Sequence, residues 1–224
     1  MREIEILRCG IVDYQKMAHT MKEMQKMRIA GEIQDTILFV QHPEIVTIGP
    51  KAIRDKVMVD GYPTAQTDRG GGITWHGPGQ IIAYPIVKWE VDEQSVRGII
   101  ERLEDWSIAA LEECGIPAYK DKAMQGAWVD GHKICSIGLS FLHWVSRHGM
   151  AINIDTPSDR VERLGCCGLS AGKHTSLSQL GYSKDKTGST IDIERIEECL
   201  IATCENYLGR VPREPILWNP GVIV

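Results

Sequence analysis

The sequence predicts an α+β domain with a mixed, mostly antiparallel sheet flanked by helices. Three observations carry this: apolar residues at helical spacing near both ends, short strand-like runs between them, and an Asp130-Gly131 pair typical of a tight hairpin. Met17, Met21, Met24 and Met27 recur on one helical face, so a first helix covers Tyr14 to Ala30 and stops at Gly31. The methionine stripe reads as core. Thr36 to Val40 and Ile45 to Ile48 read as short strands turned by His42-Pro43, and Ile81 to Val87 as a third strand after a glycine-rich loop. Val96, Ile99, Ile100, Leu103, Ala110, Leu111 and Cys114 mark a second helix, closed by Gly115. Ala127 to Val129 and Lys133 to Phe141 flank the hairpin turn, and Met150 to Ile154 is a further strand. A last helix begins near Asp192, carries Ile193, Ile196, Leu200, Cys204 and Tyr207 on one face, and ends at Gly209.

Composition narrows the function classes. A chain of 224 residues with 43% hydrophobic content is expected to form one domain, residues 1–224, without structural staples. Its 25 basic residues are outnumbered by 30 acidic ones and form no dense run, which argues against nucleic acid as a ligand. The N-terminus interleaves charge with apolar residues, and apolar runs such as Ile81 to Val87 fall far short of a span, so a cytoplasmic protein without a membrane segment is expected. Seven cysteines in such a compartment read as thiols. With no C-x-x-C, H-E-x-x-H, P-loop or G-x-G-x-x-G pattern, neither a metal nor a cofactor is expected.

Three segments stand out chemically. Arg69-Gly-Gly-Gly-Ile-Thr-Trp-His-Gly-Pro-Gly-Gln80 has five glycines in twelve residues, a composition that lets a ligand approach main-chain N–H groups. Asp130-Gly-His-Lys-Ile-Cys-Ser-Ile-Gly-Leu139 puts Lys133 at the mouth of a strand, where it becomes chemical only if its surroundings perturb it. Gly165-Cys-Cys-Gly-Leu-Ser-Ala-Gly172 sets two thiols among small residues. The last segment also matches the G-x-S-x-G nucleophile elbow, but no histidine lies well downstream of Ser170, since the last one is His174, and a serine hydrolase is set aside.

These segments, with His148-Gly-Met-Ala-Ile-Asn153, resemble in order and spacing the octanoyltransferases of protein lipoylation, from about His42-Pro43 through Thr175. The resemblance implies the fold of the biotin and lipoate protein ligases and transfer of an octanoyl or lipoyl group from the thioester of acyl carrier protein to a lysine. The acceptors implied are the lipoyl domains of 2-oxoacid dehydrogenase E2 subunits and the glycine cleavage H protein. By position, Cys167 resembles the nucleophile and Lys133 its activating base. His76 reads as a group that positions the lysine, the thioester or the loop, with a Cys–His pair as the nearest rival assignment. Arg69, Gly70, Gly71, Gly72, Ile73, Thr74, Trp75 and His76, then Ser136, Ile137 and Gly138, then Gly149, Met150 and Ala151, resemble the walls of the acyl pocket. Cys166 stands where the family commonly has proline, and Gly72 and Trp75 replace a frequent polar residue and a tyrosine.

The chemistry suits these residue types. A thioester is already activated, so acyl transfer to an amine needs no ATP. A thiol with pKa about 8.5 is mostly protonated at neutral pH, and a neighbouring amine that accepts its proton makes it a nucleophile. Ile134, Ile137, Leu139 and Trp75 read equally as the lining of a slot for the aliphatic tail and as plain core. Two rival readings fit the same residue types: an ATP-dependent lipoate or biotin ligase, and a non-catalytic acyl- or lipoyl-binding module.

Overall fold

The structure is a computed structural model that describes residues 2–122, 124–164 and 172–220. In chain order the elements are β1 (Arg2–Ile11), α1 (Tyr14–Ala30), β2 (Asp35–Gln41), β3 (Ile45–Ile48), α2 (Pro50–Arg54), β4 (Thr64–Gln66), β5 (Ile73–His76) and β6 (Gln80–Ile86). There follow α3 (Val96–Glu113), β7 (Tyr119–Asp121), β8 (Met124–Val129), β9 (His132–Lys133), β10 (Cys135–Leu142), β11 (Val145–Asn153), α4 (Ile193–Leu208), β12 (Arg210–Pro212) and β13 (Ile216–Leu217). The architecture is α+β, and the expected helices and central strands are present. Among the described residues no helix is long and apolar enough to cross a membrane.

The main sheet runs β10-β11-β6-β2-β1-β12, with β13 also paired to β1. It is antiparallel from β10 through β2 and parallel from β2 onward. Its central strands are buried on both faces, and the alternation of side chains sorts them. Ile37, Phe39, Ile81 and Ala83 face one core with Leu103 and Trp106 of α3 and Ile196 and Leu200 of α4. Leu38, Val40, Ile82 and Tyr84 face the other, where Met17, Met21 and Met24 of α1 cover them. The Asp13 side chain accepts from Lys16 N at 3.0 Å to start α1, and Gly31 ends it in the left-handed region.

Three features depart from the sequence reading. The first is β1, whose charged Glu3 and Glu5 alternate with buried Ile4 and Ile6, a period-two pattern that pairs with β2 over Ile4 to Arg8. The second is a strand, β5, inside the glycine-rich segment that reads as a loop. The third is the split of Lys133 to Phe141: Lys133 belongs to a small β7-β8-β9 sheet, while the chain from Cys135 joins the main sheet. The far edge is locked by Arg210, 0% exposed, which donates to Asp35 Oδ2 at 3.1 Å and to Glu93 Oε1 at 2.6 Å and lies over the Trp89 ring. A buried cation held by two carboxylates is paired on every side, as burial of charge requires.

Candidate active site

Strand alternation decides which residues of the glycine-rich segment reach the site. In β5, Thr74 and His76 face a pocket, while Ile73 and Trp75 face the opposite way, into a satellite core with Val46, Ala52, Val161 and Leu164. The Trp75 indole nitrogen donates to Glu44 Oε1 at 3.0 Å. Ile73 and Trp75 therefore do not line the pocket, a consequence of strand geometry where a loop was expected. Ile134 and Leu139 likewise pack in the main core, and Ile137 alone of the expected slot residues reaches the pocket wall.

The pocket is a narrow cleft with a cavity volume of only about 20 Å³, well below the usual range of ligand cavities. From the expected set, Arg69, Thr74, His76, Ser136, Ile137, Gly138, Gly149, Met150 and Ala151 line it. Sequence reasoning missed Tyr14, Ile82, Tyr84 and His148, which also line it. β10 and β11 deliver the second and third groups in register, with Ser136 opposite Ala151, Ile137 opposite Met150 and Gly138 opposite Gly149. Two of these glycines make room for neighbours. A Cβ on Gly149 would sit 2.0 Å from the Ala83 carbonyl, and one on Gly138 would sit 2.9 Å from Arg69 Cδ.

Gly70, Gly71 and Gly72 do not line the pocket. Their backbone anchors the segment: Gly70 N donates to Leu139 O at 2.9 Å, while the Gly72 and Gly71 carbonyls accept from Gly49 N and Lys51 N at the start of α2. Gly70 N–H is thus spent within the protein and is not offered to a ligand. Arg69 is buried, and its Nη2 donates to Thr47 O at 2.9 Å and to Thr47 Oγ1 at 2.8 Å, which fixes a cation at the pocket wall.

A directed hydrogen-bond chain orients His76. Asn153 Nδ2 donates to Thr175 O at 2.9 Å, so its Oδ1 faces Gln80, whose Nε2 donates to it at 2.8 Å and to Trp75 O at 3.0 Å. The Gln80 amide nitrogen is committed as donor, so its Oε1 accepts from His76 Nδ1 at 2.8 Å. His76 therefore carries its proton on Nδ1. Burial first, and then the nearby His42, hold it well below the ordinary imidazole range. His42 is also neutral, pushed down to about 4 by burial; its Nδ1 donates to Val12 O at 2.6 Å, and its Nε2 accepts from the Tyr84 hydroxyl at 3.0 Å. The Tyr14 ring stacks on His76 at 6.1 Å and 11°. His148 Nε2 donates to Asp68 Oδ1 at 2.8 Å, and this bond holds the carboxyl down at about 2. The polar half of the pocket is cross-linked by these hydrogen bonds and carries a fixed positive charge on Arg69.

Lys133 does not line this pocket. It lies on β9, three residues before Ser136, and is 3% exposed although the sequence places it at a strand mouth. Its carbonyl accepts from Thr175 N at 3.4 Å, so the polar chain that begins at His76 ends against the Lys133 backbone. The side chain lies against Gly126 of β8. A Cβ there would stand 2.8 Å from Lys133 Cε and 2.0 Å from Cys135 O, and Gly126 holds φ +129, a region essentially reserved for glycine. Gly126→Ala is expected to destabilise the fold by about 3 kcal/mol, read from the midpoint of chemical denaturation. An unchanged midpoint would contradict the cradle.

Cys166 and Cys167, with the rest of 165–171, lie outside the described residues. Among the described residues no cluster of His, Cys, Asp and Glu could hold a metal ion.

A family model described as lipoyl protein ligase A/B catalytic domain matches residues 13–205. An octanoyltransferase of Syntrophobacter fumaroxidans is 33% identical over 198 residues, 85% of this chain and 86% of that protein. One from Thermoanaerobacter sp. is 34% identical over 222 residues, 93% of this chain and 92% of its own length. A solved structure of an archaeal lipoylation system, a bi-partite lipoate protein ligase and its E2 lipoyl domain from Thermoplasma acidophilum, superposes with a TM-score of 0.70 at 13% identity. It covers 98% of this chain and 89% of the other, and it bears on the fold alone.

Proposed function

Because the chain belongs to the lipoyl protein ligase A/B catalytic domain family, we propose that it is an octanoyltransferase of protein lipoylation. It moves an octanoyl group from acyl carrier protein to a lysine of a lipoyl domain, in the cytoplasm, through an acyl-Cys167 intermediate. The observation that carries this reading is the burial of Lys133, 3% exposed, at the end of β9 and three residues before Ser136 of the pocket wall. Lysine is among the residue types least often buried, and an amine set beside a thiol can take the thiol's proton.

The chemistry proceeds in two halves. Lys133 takes the Cys167 proton; the thiolate attacks the thioester carbonyl, the carrier sulfur leaves, and Lys133 returns the proton to it. In this reading the aliphatic chain runs along Ile137, Met150, Ala151 and Ile82, whose side chains part to admit it, with Arg69 and neutral His76 toward the polar end. In the second half the acceptor lysine, relieved of its proton, attacks the acyl-cysteine. The E2 lipoyl domains and the glycine cleavage H protein are the acceptors this reading favours.

The test is direct. Incubation with octanoyl-acyl carrier protein alone is expected to leave one octanoyl group on the protein by intact mass, removable by hydroxylamine. Absence of that adduct, with pyrophosphate released from ATP and octanoate instead, would identify an ATP-dependent ligase. Absence of both would leave only a binding module.

A further inference from the structure

His174 is buried to 4% exposure, and neither of its ring nitrogens has a hydrogen-bond partner among the described residues. An imidazole normally offers one N–H and one lone pair, and leaving both unmet inside a protein is costly enough to call for an explanation. Its position suggests one. His174 forms a parallel bridge with Lys133, framed by Lys133 N donating to Lys173 O at 2.8 Å and Thr175 N to Lys133 O at 3.4 Å. Residues paired across a ladder project to the same face. Burial first, and then the charge of Lys133, push His174 down to about 4, so the ring is neutral at working pH.

The proposed reaction has a proton surplus, and it falls in one half only. In the first half a carrier thioester and a cysteine thiol become an acyl-cysteine and a carrier thiol, with no net proton change. In the second half the acceptor arrives as an ammonium, its pKa being about 10.4, and ends as an amide. Its nitrogen sheds two protons. One restores the Cys167–Lys133 pair to its starting state, and the other must leave. Both pass through Lys133, and an amine has room for one at a time.

We infer that His174 is the proton relay of the second half-reaction, taking the surplus proton from Lys133 on one ring nitrogen and releasing it toward solvent from the other. The inference rests on the octanoyltransferase reading above. His174 acts through Lys133 and does not touch the acyl chain. A neutral ring whose two nitrogens are uncommitted among the described residues can accept at its lone pair and donate from its N–H, exchanging tautomers, without accumulating as imidazolium.

The experiment separates the half-reactions by single turnover. Parent, His174→Phe and His174→Gln proteins are acylated with octanoyl-acyl carrier protein, then mixed with a lipoyl domain. Both variants are expected to acylate at the parental rate and to transfer on the order of 10²-fold more slowly. His174→Ala is expected to regain transfer with added imidazole. His174→Phe should melt no lower than the parent, because it removes unmet polar atoms and fills their space. Parallel slowing of both halves would show that His174 only supports Lys133 and would overturn the relay, as would transfer at the parental rate. A parent that takes up no octanoyl group overturns the underlying reading instead.

Discussion

The Cys167→Ala variant is expected to take up no octanoyl group from octanoyl-acyl carrier protein and to lose transfer by on the order of 10⁴-fold or more, the scale seen when a covalent nucleophile is removed. The described thiols support the choice by their own unsuitability. Burial pushes Cys135 up to about 11 and Cys9 and Cys204 up to about 12, where almost no thiolate exists at neutral pH. Cys114 and Cys199 lie 3.4 Å apart between α3 and the last helix; Cys114 is raised by that contact, and Cys199 is lowered by it while remaining buried. None of these five sulfurs combines a low pKa with access. Cys166→Ala is expected to acylate as the parent does, measured by intact mass after a fixed exposure. An adduct that survives Cys167→Ala and disappears with Cys166→Ala would move the nucleophile by one residue, and survival in both variants would remove the covalent route.

Much of the fold was legible because its signals are local. Helical spacing placed Met17, Met21 and Met24, Asp192 and Gly209 marked the ends of the last helix, and Asp130-Gly131 turned the hairpin as its residue types require. The strand Ile73–His76 was hidden because glycines surround it, and only a partner strand, β3 across Ile45 to Ile48, reveals its pairing. The same lack of a local signal explains the site. Residue types and order pointed to Arg69, His76 and the 136–138 and 149–151 groups, which reach one pocket through strand register. Tyr14 reaches it from the first helix by stacking on the distant His76 ring, and Gln80 meets Asn153 across two strands. Such contacts leave no periodic trace in either partner. Gly126 is a similar case: nothing in its neighbours shows that the space above it belongs to Lys133 Cε.

Replacing Lys133 by methionine is expected to lower the rates of both half-reactions by about 10²- to 10⁴-fold, the usual contribution of a positioned general base. Methionine keeps an unbranched stem that fits against Gly126 and loses only the amine, so the fold should persist and the defect should be chemical. Lys133→Arg is expected to be no better. A guanidinium stays protonated at any working pH and takes no proton from a thiol, and the 2.8 Å approach between Lys133 Cε and the Gly126 Cβ direction leaves little space for a planar fork. The half-reactions distinguish this residue from its neighbour: Lys133 serves both, so both fall together, whereas loss of His174 should spare acylation. Acylation is read from the burst of carrier thiol on mixing enzyme with octanoyl-acyl carrier protein, and transfer from the mass of the lipoyl domain. A Lys133→Met protein that acylates at the parental rate would show that the thiolate forms without this amine, and the search for the base would turn to the neutral His76 at the other end of the Asn153–Gln80 chain.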